Sequence, residues 1–154
     1  MSHFECVGQA ASEILESTCG VKLELQPEHN EQEANGVVIA VISLVGDVDW
    51  SIFLGIPRST APSLAAKFAG FEIPFESDDM GDAVGELTNI LAGAVKTKLI
   101  SRGIQANISL PSVMRAEGLH VLNRRDAETL RLCFNCPLGP IWTGVIAQLK
   151  GQAA

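Results

Sequence analysis

The sequence predicts an α+β fold, in which an antiparallel sheet of about six or seven strands has helices packed on one face. Gly36 to Leu44 and Val48 to Ile56 are two β-rich runs joined around Val45-Gly46-Asp47, which predicts a hairpin and therefore antiparallel pairing. The stretch from Asp78 to Leu99 repeats apolar residues at the helical period along one stripe. A helix with a single apolar stripe is suited to lie against a sheet.

Length and composition limit the possible functions. A chain of 154 residues with 47% hydrophobic content predicts one domain over residues 1–154, with a core that needs neither disulfides nor metal. The net charge of -7 argues against nucleic acid, because the phosphate backbone would be repelled. The sequence also lacks an apolar run near the roughly 20 residues of a membrane span, and its first residues do not resemble a signal peptide. We therefore expect a cytoplasmic protein whose partner is another soluble protein and not a membrane.

The first half of the chain supplies two further helices and a short strand. Apolar residues at helical spacing predict helices over about 3–18 and Arg58 to Ala69. Each is followed by a glycine suited to end it, Gly20 and Gly70. Val21 to Gln26 alternates as a short strand, and a polar loop without periodicity follows it. Both helices are predicted to cover the core.

The last third of the chain, after the central helix, is predicted to form mainly strands. Gln105 to Val113 is predicted as one strand, in which Pro111 indicates an edge, a bulge or the strand's end, because proline cannot donate a ladder hydrogen bond. Gly118 with the following HVLN indicates a short strand or hairpin arm. Glu128 to Phe134 alternates, and Pro140 to Lys150 is predicted as a last long strand, with a turn between the two.

The four cysteines fit a reducing compartment. Cys6 and Cys19 lie in or beside the first helix, and Cys133 and Cys136 form a CxxC on a predicted strand. A CxxC is found in zinc and redox sites, but residues three apart on a strand face opposite sides, and the sequence has no second pair at zinc-finger spacing. We therefore expect free thiols and no metal bound by this chain.

The polar stripe of the central helix differs from an ordinary solvated face. Glu86, Asn89, Gly93 and Lys96 follow one another at spacings of three, four and three residues and share one side. Asn89, Gly93 and the neighbouring Gly85 each cost helix stability by roughly 0.5 to 1 kcal/mol relative to alanine. Two interpretations remain open from the residues alone: a slightly poor surface helix, or a flat platform that another backbone approaches closely.

Charged residues mark both ends of this helix. Asp78, Asp79 and Asp82 lie at its start, where carboxylates cap free amides and suit the positive end of the helix dipole. Lys96 and Lys98 suit the negative end. The aspartates are better explained as helix-start residues than as ligands of a metal ion.

The central helix resembles that of a known family. Asp82, Glu86 and Asn89 form the pattern D-x-x-x-E-x-x-N, followed by LAGAVKTKL and by Pro111 in ISLPSV. This arrangement resembles the CheC, CheX and FliY chemotaxis phosphatases, and in particular the CheX branch. The similarity extends from the first helix to the last strands. The Glu-x-x-Asn helix is present once, since the corresponding part of the first helix is ASEILEST.

The resemblance implies an activity and a partner. The substrate would be the aspartyl phosphate of a CheY-type response regulator, which would also carry the Mg²⁺ ion. Asn89 would position the attacking water, and Glu86 would pair with the regulator's active-site lysine. The resemblance also implies a homodimer. The residues that we expect to contact the partner are Asp82, Gly85, Gly93 and Lys96.

Two other functions compete with the phosphatase. One is a non-catalytic docking module that binds or sequesters a response regulator or a flagellar-switch-like partner. The other is a structural domain with an unused site. The same platform serves the enzyme and the docking module, but only the enzyme needs the carboxamide of Asn89. The structural interpretation gives no reason for the helix-weakening residues on the stripe.

Overall fold

Three helices and seven strands follow one another in residues 3–27, 35–119, 122 and 125–148, the part of the chain described by the computed structural model. In order they are α1 (Glu5–Cys19), β1 (Glu24–Gln26), β2 (Val37–Gly46), β3 (Asp49–Pro57), α2 (Ala61–Ala69), α3 (Asp78–Ile100), β4 (Ala106–Ile108), β5 (Ser112–Ala116), β6 (Ala127–Cys136) and β7 (Gly139–Gln148).

All seven strands belong to one antiparallel sheet. Its order is β1-β6-β7-β3-β2-β4, and β5 also pairs with β2. The β2–β3 hairpin closes at the pair Val45↔Asp49, as the sequence predicts. β4 and β5 lie end to end along the outer edge of β2, where β4 pairs with Leu44–Gly46 and β5 with Val37–Val41.

The alternation of side chains along each strand places the main core on one face of the sheet. From β2, the side chains of Val38, Ala40, Ile42 and Leu44 join the same buried cluster as residues of α1, α2 and α3. The intervening positions face the other side, where a smaller cluster forms around Val37, Ile39 and Trp142. The predicted fold class, an antiparallel sheet with helices on one face, is therefore confirmed.

The prediction of one continuous strand over Gln105 to Val113 is wrong, but the prediction that Pro111 marks an edge or a strand end is confirmed. β4 ends at Ile108 and β5 begins at Ser112, with Pro111 in the break between them. Ser109 makes the last contact with β2 before the break, since its N–H donates to the carbonyl of Ser43. A proline offers no N–H to continue that ladder, so the chain leaves the edge of β2 and rejoins it as β5.

Other predicted boundaries shift by a few residues. The second helix begins at Ala61 and not at Arg58, because β3 continues to Pro57 and a turn follows it. β1 covers only Glu24–Gln26. Both predicted glycine ends are confirmed, since Gly20 and Gly70 are left-handed at φ 68° and 84°. The polar loop lies largely outside the described residues, as do most of HVLN and the last two residues of the predicted final strand.

The two cysteines of the CxxC lie on opposite faces of the sheet, as predicted. Cys133 packs beside the small cluster around Trp142. Cys136 is buried in the main core, and its thiol donates to the carbonyl of Gly139 at 3.2 Å. The two sulfurs therefore do not converge on one site.

Candidate functional site

Helix α3 is held against the sheet by a long apolar stripe. Met80, Leu91, Val95 and Leu99 have no exposed surface. Near its end the helix is also tied to α1, where Lys98 Nζ lies 3.0 Å from Glu13 Oε1. The burial of one side fixes the rotation of α3 about its axis, and this determines which residues face outward.

The start of α3 is anchored by the sheet and not by side-chain capping. Ser77 is the N-cap residue, but its hydroxyl donates to the carbonyl of Pro74 at 3.0 Å and makes no cap hydrogen bond. Among the described residues, no hydrogen bond joins the side chain of Asp78, Asp79 or Asp82 to a free amide either, so the predicted capping is not observed, although the first turn is acidic. Arg115 of β5 instead donates through Nη1 to the carbonyls of Phe75 and Ser77, at 3.2 and 3.3 Å.

A second arginine fixes the segment that leads into α3. The guanidinium of Arg58 lies 4.1 Å from the ring centroid of Phe75, which is buried. Its Nε donates to the carbonyl of Asn35 at 2.7 Å, and Nη1 pairs with Glu76. The hydrogen bond from Arg58 lowers the pKa of Glu76. Arg115 thus joins the start of α3 to β5, and Arg58 joins the segment before α3 to the turn that follows β3.

The outward stripe of α3 presents the two predicted catalytic side chains to solvent. Glu86 and Asn89 are both exposed, as is Asp82. Among the described residues, no hydrogen bond or ion pair engages the side chain of Glu86 or Asn89. Gly93 and Lys96 continue the stripe and are half-buried. A carboxylate and a carboxamide are thus available to an incoming partner on adjacent turns of a rigid helix.

Gly85 occupies a different position from the other predicted contact residues, because it is buried. A Cβ at Gly85 would lie 3.3 Å from Val113 Cγ2 and 3.8 Å from Pro111 Cγ. The glycine therefore allows the chain's own β4–β5 segment to approach α3. Gly85 thus serves the packing of this chain, and its contact with a partner stays a prediction.

The sequence analysis named Pro111 as part of the family pattern but did not predict that the β4–β5 loop packs beside α3. Ser109 exchanges two hydrogen bonds with Ser43: its N–H donates to the Ser43 carbonyl, and its hydroxyl accepts from the Ser43 N–H, both at 2.9 Å. On the other side of the loop, Pro111 lies beside Gly85. Leu110, held between these two contacts, is 90% exposed. The signal in the sequence was Pro111, a proline inside an apparent strand.

The charge around the stripe is mostly negative. Asp78, Asp79, Asp82 and Glu86 are exposed within the first nine residues of α3, and Lys96 follows nearly three turns after Glu86. Such a surface suits a partner that offers a cation at the interface. Among the described residues, no group of three or more His, Cys, Asp or Glu is placed to hold a metal ion. The chemistry available on the stripe is pairing through a carboxylate and hydrogen bonding through a carboxamide.

The site lies within a segment that matches a known protein family. Residues 38–135, well over half of the chain, match the family model described as chemotaxis phosphatase CheX. The chain belongs to the CheX family. The match runs from β2 to the end of β6 and includes α3 and the β4–β5 loop. The resemblance inferred from the sequence is therefore confirmed for this CheX-family protein.

Solved structures show the same fold. The chemotaxis protein CheX from Vibrio vulnificus is 19% identical, with a TM-score of 0.82 over 96% of this chain and 97% of the other. CheX from Desulfovibrio desulfuricans is 20% identical, with a TM-score of 0.82 over 96% of this chain and 100% of the other. CheX in the CheX–CheY–BeF₃–Mg²⁺ complex from Borrelia burgdorferi is 25% identical, with a TM-score of 0.75 over 95% and 97% of the two chains.

No curated protein matches the chain in sequence. Among the described residues, no helix combines the length and apolar character required to cross a membrane.

Proposed function

We propose that this CheX-family chain hydrolyses the aspartyl phosphate of a CheY-type response regulator. The observation that carries the proposal is the pair Glu86 and Asn89, exposed on one stripe of a buried, firmly anchored helix and engaged by no other described residue. The membership of the chain in a family of chemotaxis phosphatases supports the reaction class. The complex of a 25% identical CheX with CheY supports the choice of partner.

The proposed reaction needs positioning more than strong acid–base chemistry. Water attacks the phosphorus, the bond between phosphorus and the aspartyl oxygen breaks, and the regulator's aspartate and inorganic phosphate are released. Asn89 holds the water in line with that bond through its carboxamide, which orients the water but is not a general base. Glu86 pairs with the regulator's active-site lysine and fixes the register of Asn89 over the phosphoryl group.

The proposal also covers the metal, the assembly and the location, for which the family resemblance is the support. Mg²⁺ neutralises phosphoryl charge and is held by the regulator, so this chain supplies no ligand for it. The chain acts as a homodimer in the cytoplasm, where its partner is found and its thiols stay reduced. Light scattering of the purified protein at micromolar concentration tests the dimer, and a monomer mass would contradict it.

The decisive experiment follows the decay of a phosphorylated CheY-type regulator with Mg²⁺, with and without the protein. The wild-type protein is expected to accelerate decay, and Asn89→Ala is expected to lose about 10²-fold or more of that acceleration while still binding the regulator. Asn135→Ala is the matched control, because Asn135 is an exposed asparagine on β6, away from α3. Binding that depends on phosphorylation, without faster decay, would contradict the phosphatase and favour the docking module.

A further inference from the structure

Leu110 is an exposed apolar side chain on a firmly held loop. It is 90% exposed, and among the described residues only Leu122, at 91%, matches it as a large apolar side chain. The loop backbone is fixed before Leu110 by the two hydrogen bonds between Ser109 and Ser43. It is fixed after Leu110 by the packing of Pro111 beside Gly85. Single exposed leucines are common, so the position of Leu110 carries the argument.

The contacts of the β4–β5 segment place Leu110 beside the outward stripe of α3, which carries Glu86 and Asn89. The segment runs antiparallel to α3, since the N–H of Ile104 bonds the Leu99 carbonyl near the end of the helix and Arg115 bonds the Ser77 carbonyl at its start. Between these ends, Pro111 and Val113 lie against Gly85. Leu110 precedes Pro111 and is thus displaced toward the next turn of α3. That turn carries Asn89.

We propose that Leu110 is an apolar docking contact for the phosphorylated CheY-type response regulator. This inference rests on the proposed function. A standard interface buries about 800 Å² per partner, which corresponds to a patch of roughly 16 Å radius. Any protein that brings a phosphoryl group to Asn89 with such a footprint covers the adjoining loop. The regulator must therefore bury Leu110, or an apolar side chain stays in contact with water inside the interface.

The position of Leu110 suits such a contact in two further respects. Its backbone is fixed by Ser109 and Pro111, so little conformational entropy is lost when a partner covers it. It also adds an apolar contact beside the acidic side chains Asp82 and Glu86, which attract a cation but add little affinity once salt screens them. We infer that charge orients the regulator and that Leu110 slows its dissociation.

The test compares Leu110→Ala with Leu122→Ala. The two wild-type residues have the same side chain and nearly equal exposure, but Leu122 follows β5 on the connection to β6 and lies with Ser51 and Ile146, away from α3. The probe is a CheY-type regulator loaded with beryllofluoride and Mg²⁺, a stable mimic of the acyl phosphate. Titration gives the dissociation constant, and single-turnover decay of the phosphorylated regulator gives the rate at saturation.

We expect Leu110→Ala to raise the dissociation constant about tenfold and Leu110→Asp to raise it further. The decay rate at saturation should not change in either variant. Leu122→Ala should bind like the wild type. Equal affinity of the wild type and Leu110→Ala, with decay still accelerated, overturns the docking contact and leaves the phosphatase intact. A wild type that neither binds the loaded regulator nor accelerates decay overturns both. A change confined to self-association assigns Leu110 to a second copy of the chain and also overturns the proposal.

Discussion

Gly85 of α3 faces Val113 of β5 so closely that a Cβ at Gly85 would lie 3.3 Å from Val113 Cγ2. This approach lets the β4–β5 segment close over one flank of the helix. As a result, the surface next to Asn89 is formed by a loop from the sheet and not by the helix alone. Glycine at this position therefore shapes the candidate site from within the protein.

Alanine substitutions on α3 should distinguish Gly93, which has open space around it, from Gly85, which packs against Val113. Gly93→Ala is expected to stabilise the fold by about 0.5–1 kcal/mol, because no atom lies within 4 Å of the added Cβ and alanine favours the helix. Gly85→Ala should gain less or be destabilising, since Val113 must shift to admit the methyl group. Urea unfolding measures both. An equal gain at the two positions would contradict the close approach of β5.

Gly81→Ala is the matched control for that comparison, because Gly81 also lies in α3 with no atom within 4 Å of an added Cβ. It should gain as much stability as Gly93→Ala. If Gly93 contacts the regulator, a larger side chain there should weaken regulator binding without loss of stability. The equivalent change at Gly81 should leave binding unchanged.

Removing the charge of Glu86 should affect binding more than chemistry. Glu86→Gln keeps the size of the side chain but loses its attraction for a cation, so KM for the phosphorylated regulator is expected to rise about tenfold with little change in kcat. The dependence of kcat/KM on salt should also weaken. Steady-state decay at several regulator and salt concentrations measures these quantities. Glu24→Gln, at an exposed carboxylate on β1, is the control.

A fall in kcat as large as the fall in kcat/KM would show that Glu86 acts in the transition state. That result would contradict a role limited to pairing with the regulator's lysine and would assign Glu86 a part in positioning Asn89 for the chemical step.

Arg115 should stabilise the start of α3 through its hydrogen bonds to the Phe75 and Ser77 carbonyls. Arg115→Met keeps the length of the side chain but removes the donor to the Phe75 and Ser77 carbonyls, and we expect a loss of about 1 kcal/mol in the free energy of unfolding. Amide hydrogen exchange in the first turn of α3 should become faster. Arg125→Met removes an exposed arginine elsewhere and should change neither measurement.

Alkaline pH should destabilise the fold through two buried thiols. Burial raises the pKa of Cys6 and of Cys19 above the ordinary thiol value of 9.0. Between that value and the raised pKa, the unfolded chain loses thiol protons that the folded chain retains, so stability is full below about pH 9 and falls as pH rises above it. Thermal unfolding between pH 7 and 10.5 tests this. In a Cys6→Ala, Cys19→Ala double variant the alkaline decline should be shallower.

Much of the fold was predictable because its signals are local. The helical period over Asp78–Leu99, the β2–β3 hairpin and the left-handed glycines Gly20 and Gly70 depend on residues close together in the chain. Glu86 and Asn89 were predicted to share an exposed stripe for the same reason, because residues three apart lie on one side of a helix. The structure confirms their exposure.

Three features were decided by contacts between distant residues. Pro111 indicated a break, but the positions at which β4 and β5 pair with β2 depend on a strand about 60 to 80 residues earlier in the chain. The start of α3 relies on Arg115, which follows Ser77 by 38 residues. Gly85 has the same propensity as Gly93, yet only Gly85 is covered by the β4–β5 segment.

The sequence by itself thus determined the fold class, the central helix and the exposed pair Glu86 and Asn89, since periodicity and turn chemistry act over a few residues. Only the tertiary structure decided that Gly85 is buried under Val113 and that Leu110 is exposed on the loop whose Pro111 lies beside Gly85. The physical reason is that packing depends on which elements meet across the fold. No local pattern encodes that choice when the contacting residues are far apart in the chain.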